Sequence, residues 1–275
     1  MTGIINKEDY MEPACPLCNS GGKDDVHPID VGRAIEKLDE HLARNDYSDA
    51  EKHLLFWVDE AKYNLDERGL LALYNELMGL YRKTDKREQA VEHAEKSLDL
   101  VEKLGLSESS VGGTTFVNAA TVYKAFSMPE KAITLYRKAL EIYKTSLPEN
   151  DSRLGGLFNN MGLAYADLAM FDDAEDCYKK ALSVMRSVES GELEQAITYL
   201  NMADLENSML GTLEAEDVIS KYVEKAIELL DTEILPRNGY YAFVLEKCVP
   251  TIRYYGYFLD ADRFEKTYKG IYERA

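Results

Sequence analysis

Residues 155–186 read GGLFNNMGLAYADLAMFDDAEDCYKKALSVMR. Phe158, Met161, Gly162 and Tyr165 recur at i, i+3, i+4 and i+7, which is one face of a helix. Phe171-Asp172-Asp173-Ala174 is expected to turn the chain. Ala174, Tyr178 and Ala181 then form the inner face of a second helix. Small residues stand where two antiparallel helices cross closely, and a large aromatic fills the space beside them.

The same pattern returns elsewhere at a fixed step. Ala90, Ala132 and Ala174 are spaced by 42 residues (132 − 90 = 42, 174 − 132 = 42), and Tyr81, Tyr123 and Tyr165 keep that interval. A self-similar period of this size marks a stacked-repeat architecture, and such stacks present an extended surface to a partner. One unit starts near Gly113 and carries Phe116, Ala119, Ala120, Tyr123, Ala132, Tyr136 and Ala139. Another starts near Leu71 with Tyr74, Leu77, Met78, Tyr81, Ala90, Ala94 and Ser97.

These residues resemble the tetratricopeptide repeat (TPR). The long 42-residue period and the paired Asn159-Asn160 resemble the kinesin-light-chain type of that repeat. Weaker units are read near residues 31, 197 and 245, which makes six units and about twelve helices over residues 31–275. Leu106–Gly113, Ser146–Ser152 and Val188–Gly191 read as the loops between units, since Gly, Pro, Ser and Asn cluster there. The resemblance implies an all-α fold, a right-handed superhelical α-solenoid, in which the first helix of each unit lines a concave groove. It implies a protein- or peptide-binding scaffold or adaptor. The alternatives are a peptide-responsive regulatory protein, or a zinc or redox protein acting through the N-terminal cysteines.

Asn75, Asn159 and Asn201 share one groove register, with Val117 as the odd rung. An Asn amide carries a donor and an acceptor, so this ladder can bracket an extended peptide segment. Arg82 and Lys124 share a second register and can hold a carboxylate, Arg in a bidentate way. Thr121 lies between those registers. The carboxylate clamp known in some relatives is not reproduced, because its remaining position reads Gly79, Thr121, Leu163 and Leu205.

Residues 1–30 form a non-repeat N-terminal arm with one CxxC, Cys15-Pro16-Leu17-Cys18. Two thiolates at that spacing can share zinc, with His27 as a third ligand, or form a redox pair. No second CxxC exists, so no cofactor is expected. Cys177 reads as a small buried hydrophobe. Near the C-terminus, Tyr240, Tyr241, Phe243, Tyr254, Tyr255, Tyr257 and Phe258 crowd together, and Pro250 is expected to kink the helix or start a new one. Most of these rings close the core; Arg253 and Tyr254 are candidates for a C-terminal pocket.

The formal charge is −18, with charged residues at 30% of the chain. An acidic chain repels phosphate backbones and anionic bilayers, so neither nucleic acid nor membrane is an expected partner. Such a charge keeps a protein soluble, and it can also steer a basic ligand. No signal peptide or spanning segment is read, and the expected place is the cytoplasm. No Ser-His-Asp set, phosphate loop or HExxH helix is present, which argues against an enzyme.

Overall fold

The computed structural model describes residues 26–274, and among them twelve α-helices and no strand. The chain divides after Leu147 into two compact units, where the repeat pattern alone suggests one array. The N-terminal unit holds α1 (Val31–Ala43), α2 (Tyr47–Tyr63), α3 (Glu67–Lys83), α4 (Arg87–Lys103), α5 (Ser110–Ala125) and α6 (Pro129–Ser146). The C-terminal unit holds α7 (Ser152–Asp167), α8 (Phe171–Met185), α9 (Glu192–Leu210), α10 (Glu216–Leu230), α11 (Gly239–Tyr254) and α12 (Phe258–Tyr272).

Each odd helix pairs with the even helix that follows it, giving three hairpins per unit. The odd helices also touch one another. In the N-terminal unit α3 lies against both α1 and α5, while α2 packs on α3 and α4 on α5. In the C-terminal unit α9 lies against α7 and α11, and α8 packs on α9. The packing is that of a tetratricopeptide-type α-solenoid.

The turns inside the first four hairpins are built the same way. Asn45, Asp85, Ser127 and Ala169 take φ between 55° and 60°, and only two of these are residues that favour the left-handed region. The next residue closes a six-to-one bond onto the first helix: Asp46 N–H to His41 O, Lys86 N–H to Tyr81 O, Met128 N–H to Tyr123 O and Met170 N–H to Tyr165 O, all 2.8–2.9 Å. This is the Schellman arrangement, which satisfies carbonyls the helix end leaves open. The periodic tyrosines are therefore also the residues whose carbonyls fasten the turn. The turn after α7 lies at Leu168–Met170, three residues before the place expected for it, because α8 already starts at Phe171.

The crossings rest on missing side chains. Ala90, Ala94, Ala132, Ala139, Ala174 and Ala181 are fully buried, and Tyr178 lies beside Gly162, where an added methyl group would stand 2.4 Å from the ring. Such contacts fix the approach of the two helices, because protein interiors hold no spare volume for a methyl.

Three boundaries differ from the sequence expectation. Gly112 and Gly113 belong to α5 rather than to the preceding loop, which ends at Ser109; the Ser109 hydroxyl caps α5 by accepting the Gly112 N–H at 3.1 Å. The last hairpin starts at Gly239, six residues before 245, with Asn238 as its cap. Pro250 lies inside the unbroken α11 rather than starting a new segment. The ring only removes one N–H from the helix ladder, and the neighbouring Val249 and Ile252 are buried and anchor it.

Candidate functional site

Of the residues singled out in the sequence, Asn75 and Arg82 lie on α3, Thr121 and Lys124 on α5, Asn159 on α7 and Asn201 on α9. Asn75 is 4% exposed. Its Nδ2 donates to Leu71 O at 2.9 Å and to Thr115 Oγ1 at 3.2 Å, and its Oδ1 accepts from Asn118 Nδ2 at 2.9 Å. Both ends of the amide are thus spent between α3 and α5. Asn159 is buried too, and its Oδ1 accepts from Asn201 Nδ2 at 3.0 Å, between α7 and α9. Asn75 and Asn159 are thus held from helix to helix, and Asn201 is half-buried beside Asn159. A buried amide costs more unpaired than paired, so packing takes it first.

Thr121 is likewise bonded within the fold. Its hydroxyl donates back to Val117 O at 2.8 Å and lies 3.1 Å from the Tyr136 hydroxyl. It serves the α5–α6 hairpin. Asn75→Ala leaves Asn118 and Thr115 without their partner and is expected to cost about 1–3 kcal/mol. A lowered melting temperature, with faster amide exchange in α5, is the expected reading; an unchanged melt would refute it.

Arg82 is exposed and Lys124 half-buried, both in the last turns of their helices. A helix C-terminus favours cations, so part of their placement is explained without a ligand. The sequence reading missed Glu76. It is 3% exposed on α3, and its Oε2 has no hydrogen-bond partner among the described residues. Burial, and then the like charge of Asp39 on α1, raise its pKa from the ordinary carboxylate range to about 7. A signal for it existed: 76 + 42 = 118 and 118 + 42 = 160, so Glu76 stands in a column with Asn118 and Asn160.

In the C-terminal unit Arg253 and Tyr254 line an open pocket of 490 Å³ with Glu246, Val249, Pro250, Glu265 and Tyr268. Arg253 is already paired there, to Asp262 Oδ1 at 2.7 Å and Glu265 Oε2 at 2.5 Å. The neighbouring rings do structural work. The Tyr241 hydroxyl donates to Leu230 O at 3.0 Å, that of Tyr255 to Asp204 Oδ1 at 2.8 Å, and that of Tyr257 to Glu224 Oε1 at 3.2 Å.

Cys177 and Cys248 are buried, and burial lifts their thiols to about 11 and about 12. Their thiolate fraction at neutral pH is negligible, which makes them inert. Cys15 and Cys18 lie outside the described residues. Exposed His27 bonds through its backbone to Asn64 O at 3.3 Å. No group of three His, Cys, Asp or Glu is placed to hold a metal among the described residues. No described helix is long and apolar enough to cross a membrane.

Two family models of the tetratricopeptide repeat match the chain, one over residues 69–145 and one over residues 156–184. Residues 69–145 and 156–184 carry tetratricopeptide repeats. The matched segments span α3 to α6 and the α7–α8 hairpin, the elements where the 42-residue step is cleanest. Among solved structures, BtubC (BKLC) from P. vanneervenii is 22% identical, with a TM-score of 0.63 over 76% of this chain and 85% of that one. Nearly identical TPR-like repeats from a candidate kinesin light chain of Podosopora anserina are 15% identical, with a TM-score of 0.51 over 72% of this chain and 92% of that one. At these identities the likeness is one of fold. No curated protein matches the chain in sequence.

Proposed function

We propose that the chain is a non-catalytic protein-binding scaffold, and that the first helices of its repeats hold an extended segment of a partner. The observation that carries this reading is the row α1, α3, α5. These helices lie side by side with α2 and α4 packed on them. Arg82 and Lys124 stand on this row in one register, 42 residues apart. A partner carboxylate placed between them gains two charge-assisted bonds, and the Arg82 fork can bind it in a bidentate way. Asn75 and Thr121 contribute rigidity to this surface through their bonds to α5 and α6.

The test is an array of random ten-residue peptides probed with the full chain. Joint reversal, Arg82→Glu with Lys124→Glu, is expected to weaken the retained peptides about tenfold or more, the size of a lost charged hydrogen bond. Retention of the same peptides with unchanged strength would exclude this surface as the binding face.

A further inference from the structure

We propose that the groove between α11 and α12, in the C-terminal unit, is a docking seat for one α-helix of a partner protein, and that Glu246 takes a lysine or arginine donor from that helix. The seat uses none of the residues assigned to the α1, α3 and α5 row.

The repeat itself shows what such a groove holds. α3 packs on both helices of the α1–α2 hairpin, α5 on both of α3–α4, and α9 on both of α7–α8. In two of these seats the incoming helix also gives a hydrogen bond at one fixed place. Asn118 on α5 donates to Asn75 on α3 at 2.9 Å, and Asn201 on α9 donates to Asn159 on α7 at 3.0 Å. Each acceptor stands ten residues before the left-handed residue of its turn: 85 − 75 = 10 for Asp85, and 169 − 159 = 10 for Ala169. In the last hairpin the left-handed residue is Gly256, and 256 − 246 = 10. The register is firm, because Ala90, Ala174 and Ala261, each five residues after the turn residue, are all fully buried. Glu246 is therefore the acceptor position of α11.

There the groove is open. Glu246 is exposed and lines the 490 Å³ pocket, with Val249, Arg253 and Tyr254 on α11 and Glu265 and Tyr268 on α12. Twelve residues after the turn residue, α4 and α8 carry the fully buried Ser97 and Ala181, whereas Tyr268 of α12 is only half-buried. A helix laid in this groove covers it as α5 and α9 cover theirs, the helix-in-groove mode of recognition.

The chemistry of the occupant follows from the column. Asn75 and Asn159 are neutral amides met by amides. Glu246 is a carboxylate, an acceptor on both oxygens, and here it receives the Tyr272 hydroxyl at 3.0 Å. A cationic donor makes the stronger bond to it. Arg253, which also lines the pocket, is held by Asp262 and Glu265. Tyr254, 66% exposed, and Tyr268 offer ring surface to the apolar side of the helix and to the aliphatic stem of its cation. A second copy of the chain is disfavoured, since two bodies of charge −18 repel.

The probe is a library of stapled, eighteen-residue helical peptides with a randomised apolar face. One central position on that face carries lysine, norleucine or glutamate. Norleucine keeps the stem of lysine and removes its charge. The full chain is expected to retain the lysine set about tenfold or more tightly than the norleucine set. Glu246→Gln should bring the two sets together; its side chain still accepts the Tyr272 hydroxyl, so the fold is kept. Tyr254→Ser, at an exposed position, should weaken every set. Equal retention of the lysine and norleucine sets by the unaltered chain, a preference that survives Glu246→Gln, or retention of no set would overturn the seat. A dimer of the full chain in sedimentation that Tyr254→Ser dissolves would make a second copy the occupant and overturn the assignment to a basic partner helix.

Discussion

Gly112→Ala is expected to destabilise the N-terminal unit by about 3 kcal/mol, a large change for a single methyl group. The new Cβ would stand 2.1 Å from the carbonyl oxygen of Leu106 and 3.0 Å from its carbon. That carbonyl cannot retreat. It accepts the Ser109 N–H at 2.9 Å and the Ser109 hydroxyl at 2.8 Å, and the Leu106 N–H is itself fixed to Val101 O at 2.9 Å. The Leu106 side chain is buried as well. Relief has to come from moving the start of α5 or from opening the whole α4–α5 connection. Gly156→Ala is the matched control. It sits in α7, where an added methyl meets nothing within 4 Å. There the lower backbone entropy of Ala in the unfolded chain should stabilise by about 0.5–1 kcal/mol. Urea midpoints of the two variants should move in opposite directions. A Gly112→Ala midpoint equal to that of the parent would show that the close approach does not exist.

Glu76→Gln is expected to change how stability depends on pH. The folded pKa of Glu76 is raised from 4.5 to about 7. Between those values the native state keeps a proton that the unfolded state has released. Stability therefore falls as pH rises through this window and is level above it. The size of this contribution is about 3 kcal/mol, from roughly 1.4 kcal/mol per pH unit. The charge acting on Glu76 from α1 is the carboxyl of Asp39, which works in the same direction. From α5, the groups bonded beside it at Asn75 are the uncharged Thr115 and Asn118. A Gln side chain has nothing to ionise. The variant should match the parent near pH 4.5 and exceed it by about 3 kcal/mol at pH 8. Parallel pH profiles for the two proteins would refute the assignment.

Polar residues in one column of the repeat meet different fates. Asn118 and Asn75 show what a polar residue does when a neighbour can complete it: the pair closes and stiffens the stack. Glu76, in register with Asn118, lacks that completion and pays in desolvation. Marginal stability tolerates a few such groups, and they are often retained for what they bind.

Much of the architecture was legible in the chain itself. Helical spacing, the alanines at the crossings and the tyrosines at a fixed step follow from local periodicity and residue size, which do not depend on distant contacts. The hairpin number and the burial of Cys177 come from the same source. Boundaries were less legible. Gly112 and Gly113 look like a helix stop, and only the Leu106 carbonyl and the Tyr143 ring packed against them explain why glycine continues a helix there. Pro250 looks like a break and is carried within α11 by its buried neighbours.

What the sequence by itself determined is the repeat: its period, its helical faces and the register in which residues recur. What only the tertiary structure decided is which polar residues in that register remain available to a partner. Asn75, Asn159 and Asn201 fit a binding ladder by spacing, yet Asn75 is bonded to Asn118 and Asn159 to Asn201 from a neighbouring helix. Register says which side of a helix a residue occupies. Whether its donors and acceptors are already satisfied depends on the neighbour across the gap, and that is a fact of packing.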